Sequence, residues 1–190
     1  MQVGGQDMYL YHLDDEAVRV RMVDEIRSDI DRGTLYSSIR LSATGLAEWP
    51  DLLIRAAESG GPQTLAADLG SNGRLLAYET SHRNGKPYQK KVPHDAPDTL
   101  AEGEFNRFYI RAVCAIALDR GQARVEVYRA KNVANPRTES ISLVGSLVDA
   151  RDLLEDLRAN PGIDTALGIP PGPNSGLSVR FLQIRTTTVK

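Results

Sequence analysis

Residues 98–121 read DTLAEGEFNRFYIRAVCAIALDRG, and the spacing within them predicts one long central helix. Phe105, Phe108, Tyr109, Ala112, Val113 and Ile116 recur at i, i+3 and i+4 and make one apolar face. Ile110, Cys114, Ala117 and Leu118 make a second, leaving only Glu104, Arg107 and Arg111 as a polar stripe. A helix apolar over so much of its circumference is expected to be covered on more than one side. Asp98 or Thr99 is the expected cap, with Glu102 and Glu104 suited to the positive end of the helix dipole. Arg120 and Gly121 supply the stop. At 1.5 Å per residue the helix would run roughly 35 Å. Phe108, Val113 and Ile116 are expected to be nearly fully buried.

Immediately upstream, residues 74–81 and 86–92 flank Arg83-Asn84-Gly85. Asn-Gly between two extended runs is the strongest short signal of a β-hairpin. Residues 83–91 hold four Arg/Lys and no acid, so the hairpin reads as basic and projecting. Pro93 and Pro97 separate it from the long helix. Residues 1–70 form a helical N-terminal lobe that opens acidic, with eight Asp/Glu against three Arg in residues 1–31. Its first helix is expected from Asp14 or Asp15 to Asp31, stopped by Gly33, with Ala17, Val20, Met22, Val23, Ile26 and Ile30 inward. Residues 36–41 read as a short extended run, and residues 42–45 as a break. A second helix over 47–59 would pack Trp49, Leu52, Leu53, Ala56 and Ala57, and residues 63–69 suit a third.

Downstream, residues 123–133 favour a strand through Val125, Val127 and Tyr128, and residues 141–144 a second. A short amphipathic helix over 149–158 would turn Leu153, Leu154 and Leu157 inward. Residues 170–176, PPGPNSG, form a punctuated loop before a closing strand within 177–189. Helices, hairpin, long helix, strands, helix and strand in that order make an α+β fold. The expected division is residues 1–70 and residues 71–190, one cooperative unit in which the central helix packs on a small β-sheet.

Composition sets bounds on function. The chain has 190 residues, 41% of them hydrophobic and 25% charged, with a formal net charge of −2. A dedicated nucleic-acid binder is more often basic. The one cysteine, Cys114, allows no internal disulfide and suits a reducing compartment. Residues 1–7 lack a signal-peptide pattern, and no apolar run has the length of a membrane span. The expectation is cytoplasm, or a particle assembled there, with no membrane partner.

Candidate chemistry is sparse. Glu126 and Lys131 with Asp119 would be the raw material of a nuclease, but Glu126 and Lys131 are five apart and fall on opposite faces of a regular strand. His12, His82 and His94 show no metal spacing and read as surface or loop residues. Cys114 sits among apolar neighbours and reads as packing rather than a nucleophile. The glycines of residues 170–176 lack the Gly-Lys-Ser/Thr of a phosphate loop. Acid runs at 14–16 and 24–25 read as a solvated helix face. No catalytic residue, cofactor or metal is expected.

Two features rise above this background: the hairpin cations Arg83, Lys86, Lys90 and Lys91, and the Arg107/Arg111 stripe with Arg129 and Lys131 beyond it. They suit contact with phosphate or with an acidic partner. For the helix stripe, salt bridges within or between chains are the expected use. The order of elements resembles the tailed-phage capsid fold, also used by encapsulins. Residues 74–92 would match its extended loop, 98–120 its spine helix and 123–146 its peripheral strands. Residues 8–69 depart from it, being helix-rich where that fold has an arm. The resemblance implies a non-enzymatic, self-assembling shell protein whose partner is itself. The alternative is a nucleic-acid-binding accessory module that uses residues 83–91.

Overall fold

The computed structural model describes residues 7–132, 138–162 and 176–182. Its axis is helix α4, Ala96–Asp119. The helix begins earlier than Asp98 because Pro97 lies in its first turn, where a missing N–H leaves no bond unmade. Asp95 takes the cap position without a side-chain bond, so neither Asp98 nor Thr99 caps. At the far end Gly121 adopts φ 73°, its N–H donates to Leu118, and the Gln122 N–H donates to Ala117. That is a Schellman stop, and it needs a residue free of Cβ strain at Gly121.

Helix α1, Glu16–Arg32, starts where the Asp15 carboxylate accepts the Ala17 N–H at 2.9 Å and stops at left-handed Gly33. Its buried face is Val18, Met22, Val23, Glu25, Ile26 and Asp29. Ala17 and Val20, expected inward, are exposed. Helix α1 is rotated from its purely apolar stripe because two of its carboxylates turn toward α4. Helix α2, Ala43–Ser59, starts before residue 47. Ser42, expected within a break, is its cap: Oγ accepts the Gly45 N–H at 3.1 Å. A Cβ on Gly45 would lie 2.1 Å from the Arg74 carbonyl oxygen, so glycine permits that crossing. Trp49, Leu52, Leu53, Ala56 and Ala57 are buried, and the Trp49 indole donates to the Tyr36 carbonyl at 2.8 Å. Helix α3, Pro62–Leu69, follows and lies on α4.

Strands β1, Tyr78–Arg83, and β2, Lys86–Lys91, form an isolated antiparallel hairpin. Beyond α4 comes β3, Arg124–Arg129, the centre of a three-stranded antiparallel sheet ordered β4-β3-β5. Its edges are β4, Leu147–Asp149, and β5, Leu177–Arg180. Residues 141–144, expected as the second strand, do not pair: helix α5, Thr138–Leu143, takes most of them. β-Prone side chains are not sufficient where no partner is in register; Gly145, at φ 85°, turns the chain and pairing begins at Leu147. Helix α6, Ala150–Ala159, is capped by Asp149 and buries Leu153, Leu154 and Leu157 against α4. Most of the loop at 170–176 and the closing strand beyond residue 182 lie outside the described residues.

A single apolar cluster runs from Met8 to Phe181 and takes in both halves of the chain. The N-terminal segment is tied across the sheet end: the Tyr9 N–H donates to Ala130 at 2.8 Å and the Tyr128 hydroxyl to the Tyr9 carbonyl at 2.9 Å. Phe108, Val113 and Ile116 are buried as their spacing predicts. Phe108 is 1% exposed, so Phe108→Ala should cost about 3–5 kcal/mol. Denaturant unfolding checks this, and a loss well under 1 kcal/mol would remove α4 from the centre of the core.

Candidate functional site

Of the eight cations picked out by sequence, the structure leaves four in solvent, and all four lie on the hairpin. The turn Asn84-Gly85 has φ 51° and 74°, the double positive that lets two-residue hairpins follow the strand twist. Pairing sets Lys86 opposite Arg83, Tyr88 opposite Ser81 and Lys90 opposite Glu79. Opposed residues share a face. One face therefore carries Arg83, Lys86, Tyr88 and Lys90, while Lys91 lies on the other with Tyr78. The alternation Lys86-Pro87-Tyr88-Gln89-Lys90 already encodes that face, and Tyr88 is the member the sequence reading passed over. All six β2 residues are exposed.

The base of the hairpin is well held. Leu41 bridges Leu75, the Ser42 N–H donates to Arg74 and the Leu76 N–H to Arg40, each at 2.8 Å. The Arg40 guanidinium grips Glu79 through two bonds of 2.6 and 3.2 Å. Those bonds hold the Glu79 carboxyl below its ordinary range. Arg74 is fixed by Glu48 at 2.6 Å and by the Asp68 carbonyl at 2.6 Å. Beside it opens a cavity of about 240 Å³, lined by Leu69, Leu75, Tyr78, Lys91, Val92 and His94 among others.

The other four cations are not free to meet phosphate or a neighbour in the way the hairpin is. Arg111 is 1% exposed and bonds Glu25 and Asp29 of α1, at 2.7 Å and 2.6 Å. Arg158 of α6 donates to the same Glu25 and Arg32 to the same Asp29. Burial pushes both carboxyls up, and the guanidinium hydrogen bonds outweigh it, so both titrate below their ordinary values. Arg107 is buried and donates to the Leu157 and Asn160 carbonyls at 3.3 and 3.0 Å. Lys131 pairs with Glu102 at 2.5 Å, and Arg129 lies half-buried in β3. The stripe on the long helix thus serves intrachain salt bridges. Glu25, expected on a solvated helix face, is buried because Arg111 draws it inward, and Asp29 was missed by sequence, although carboxylates four apart on α1 interrupt an apolar face just as Arg107 and Arg111, four apart, interrupt α4.

Glu104 is a different case. Its side chain is buried 3.5 Å from Arg107, and desolvation, only partly offset by that guanidinium, raises its carboxyl to about 7.

The remaining candidates are engaged in packing. Glu126 bonds Arg180 across β3 and β5 at 2.6 Å, and Asp119 bonds Arg21 at 2.5 Å, so Glu126, Lys131 and Asp119 converge on no common site. His12 lies in a turn as expected, yet it is half-buried: Nε2 accepts the Phe181 N–H at 3.3 Å, and burial lowers the imidazole's proton affinity. His82 and His94 are exposed. Among the described residues no group of three or more His, Cys, Asp or Glu is placed to hold a metal ion. The buried Cys114 thiol is pushed up to about 12 by desolvation, far from a reactive thiolate at neutral pH. No helix among the described residues is long and apolar enough to cross a membrane. No protein-family model, curated protein or solved structure matches the chain.

Arg111→Ala should destabilise by about 3–5 kcal/mol, because two buried carboxylates lose a shared cation. A two-state denaturant melt reads this. The pH dependence has opposite signs at the two sites. Glu25 and Asp29, with lowered values, contribute stability above the ordinary carboxylate range that is lost as pH falls through their folded values. Glu104, raised from 4.5 to about 7, contributes stability present below 4.5 and lost as pH rises through 7. Glu104→Gln should therefore remove a decline of up to about 3 kcal/mol between those pH values. Melts of both proteins at pH 5 and pH 8 check it, and equal pH slopes would refute it.

Proposed function

We propose that the protein is a non-enzymatic, self-assembling structural subunit, of the kind that builds capsid-like shells. The observation that carries this reading is the hairpin: a braced, two-stranded arm that projects exposed cations and aromatics. Arg83, Lys86, Lys90 and Lys91 make no ion pair within 4.0 Å among the described residues. Tyr78 and Tyr88 stand exposed beside them. Ile141, Val144 and Leu147 add exposed apolar side chains at the β4 end of the sheet. Exposed apolar groups gathered together commonly mark contact with another protein. Hairpin, long helix and small sheet follow one another as in the phage capsid order, which supports the shell reading; α5 in place of a second peripheral strand departs from it. The proposal places the subunit in the cytoplasm or in a particle assembled there.

A second reading, a nucleic-acid-binding module, is favoured by one observation. Arg83, Lys86 and Lys90 share their face with Tyr88, and cations interleaved with an aromatic suit phosphate contact with base stacking. The formal net charge of −2 weighs against it.

Light scattering over a range of protein and salt concentrations, beside a salt-titrated DNA-binding assay, separates the two. Wild type should associate, and Lys90→Glu with Lys91→Glu should leave a folded species of lower mass. A wild type that stays monomeric at high concentration rules out assembly. If that monomer binds duplex DNA, the double reversal should instead flatten the salt dependence by about 0.9 per lost phosphate contact.

A further inference from the structure

The hairpin face has a counterpart elsewhere on the same chain. On β2, Lys86, Tyr88 and Lys90 lie on one side of the strand, base, aromatic, base, at about 7 Å per two-residue step. On α1, Glu16, Val20 and Asp24 lie one above the next, acid, apolar, acid, at about 6 Å per four-residue step. All six residues are exposed, and Val20 is 55% exposed. Among the described residues, none of the four charged members makes an ion pair within 4.0 Å. Two patterns of matched length and opposite charge, each left in solvent, do not meet within one chain.

We propose that the hairpin docks on the outward face of α1 of a second copy of this chain, with Lys86 on Glu16, Tyr88 on Val20 and Lys90 on Asp24. This deepens the assembly reading and rests on it. Flanking charges fix the direction. Arg83 sits opposite Lys86, at the end where Asp14 is also exposed. At the other end Glu79, opposite Lys90, is held by Arg40, and Arg27 follows Asp24 on α1 with Glu58 3.9 Å away. With β2 running parallel to α1, Arg83 comes to Asp14; run antiparallel, Arg83 and Lys86 would meet Arg27. The occupant is a copy of this chain because the acidic face and the basic arm are complementary to each other in charge, apolar centre and spacing. Hairpin on helix is a head-to-tail contact, so assembly would continue from copy to copy until it closes. Tyr88 over Val20 supplies the apolar centre and the charges the register.

The test is a charge swap read by light scattering. One variant carries Lys86→Glu with Lys90→Glu, the other Glu16→Lys with Asp24→Lys. Each alone should weaken self-association by about 100-fold or more, since two attractive pairs become repulsive. All four positions are exposed, so circular dichroism and melting should report folded protein. An equimolar mixture should recover assembly, because each variant's hairpin then matches the other's helix. If wild type associates and either variant associates equally well, or the mixture of folded variants stays dissociated, the docking is wrong while the assembly reading stands. Loss of DNA binding in the hairpin variant with unchanged mass would assign the face to nucleic acid instead. A wild type that never associates overturns both.

Discussion

Arg111 reaches from α4 into α1 and is sealed there, bonded to both Glu25 and Asp29. A charge cannot be left alone in such a place, so the two helices must meet with both carboxylates in reach. That condition fixes how far α1 slides along α4 and how it is rotated about its own axis. The rotation has an effect on the surface. At 100° per residue, Glu25 and Asp29 lie roughly opposite Glu16, Val20 and Asp24 around the helix. Turning one pair of carboxylates inward is what turns the acid, apolar, acid stripe outward. Arg158 and Arg32 tie α6 and the end of α1 into the same cluster, so the core's polar centre also sets the orientation of the outer face.

The hairpin is governed by different forces. Among the described residues its strands pair only with each other, and its turn is specified by two residues with positive φ. A two-stranded ribbon alone is marginal in water. Here it gains a foundation from the Leu41–Leu75 bridge, the Arg40–Glu79 pair and the close passage of Gly45 beneath Arg74. The arm is thus positioned by α2 and the segment before it, while its exposed faces carry no share of the core. Such a division lets the side chains on the arm be chosen for contact rather than for folding.

Elements specified locally were legible in the sequence. Helix α4 announced itself by its two apolar faces and its Gly121 stop, and the hairpin by Asn84-Gly85. What the sequence hid was set by partners distant along the chain. Ser42 looked like part of a break because its role as a cap depends on where α2 begins, and Val20 looked like core because nothing local says that Arg111 draws Glu25 and Asp29 inward instead. Residues 141–144 had strand-forming side chains, but strand identity belongs to the ladder with β3, and the ladder took Leu147–Asp149. At the candidate site the four hairpin cations were legible one by one. Their division between two faces, with three beside Tyr88, followed only once the register was known.

Cys114 lies within α4 with no exposed surface, and it is the only cysteine in the chain. Its thiol reacts only as thiolate and only where reagent can reach it. Both conditions are denied while α4 stays covered, so the rate at which this one sulfur is alkylated becomes a clock for the opening of the core. Surface events on the arm leave that clock untouched, whereas any rearrangement that uncovers this part of α4 starts it.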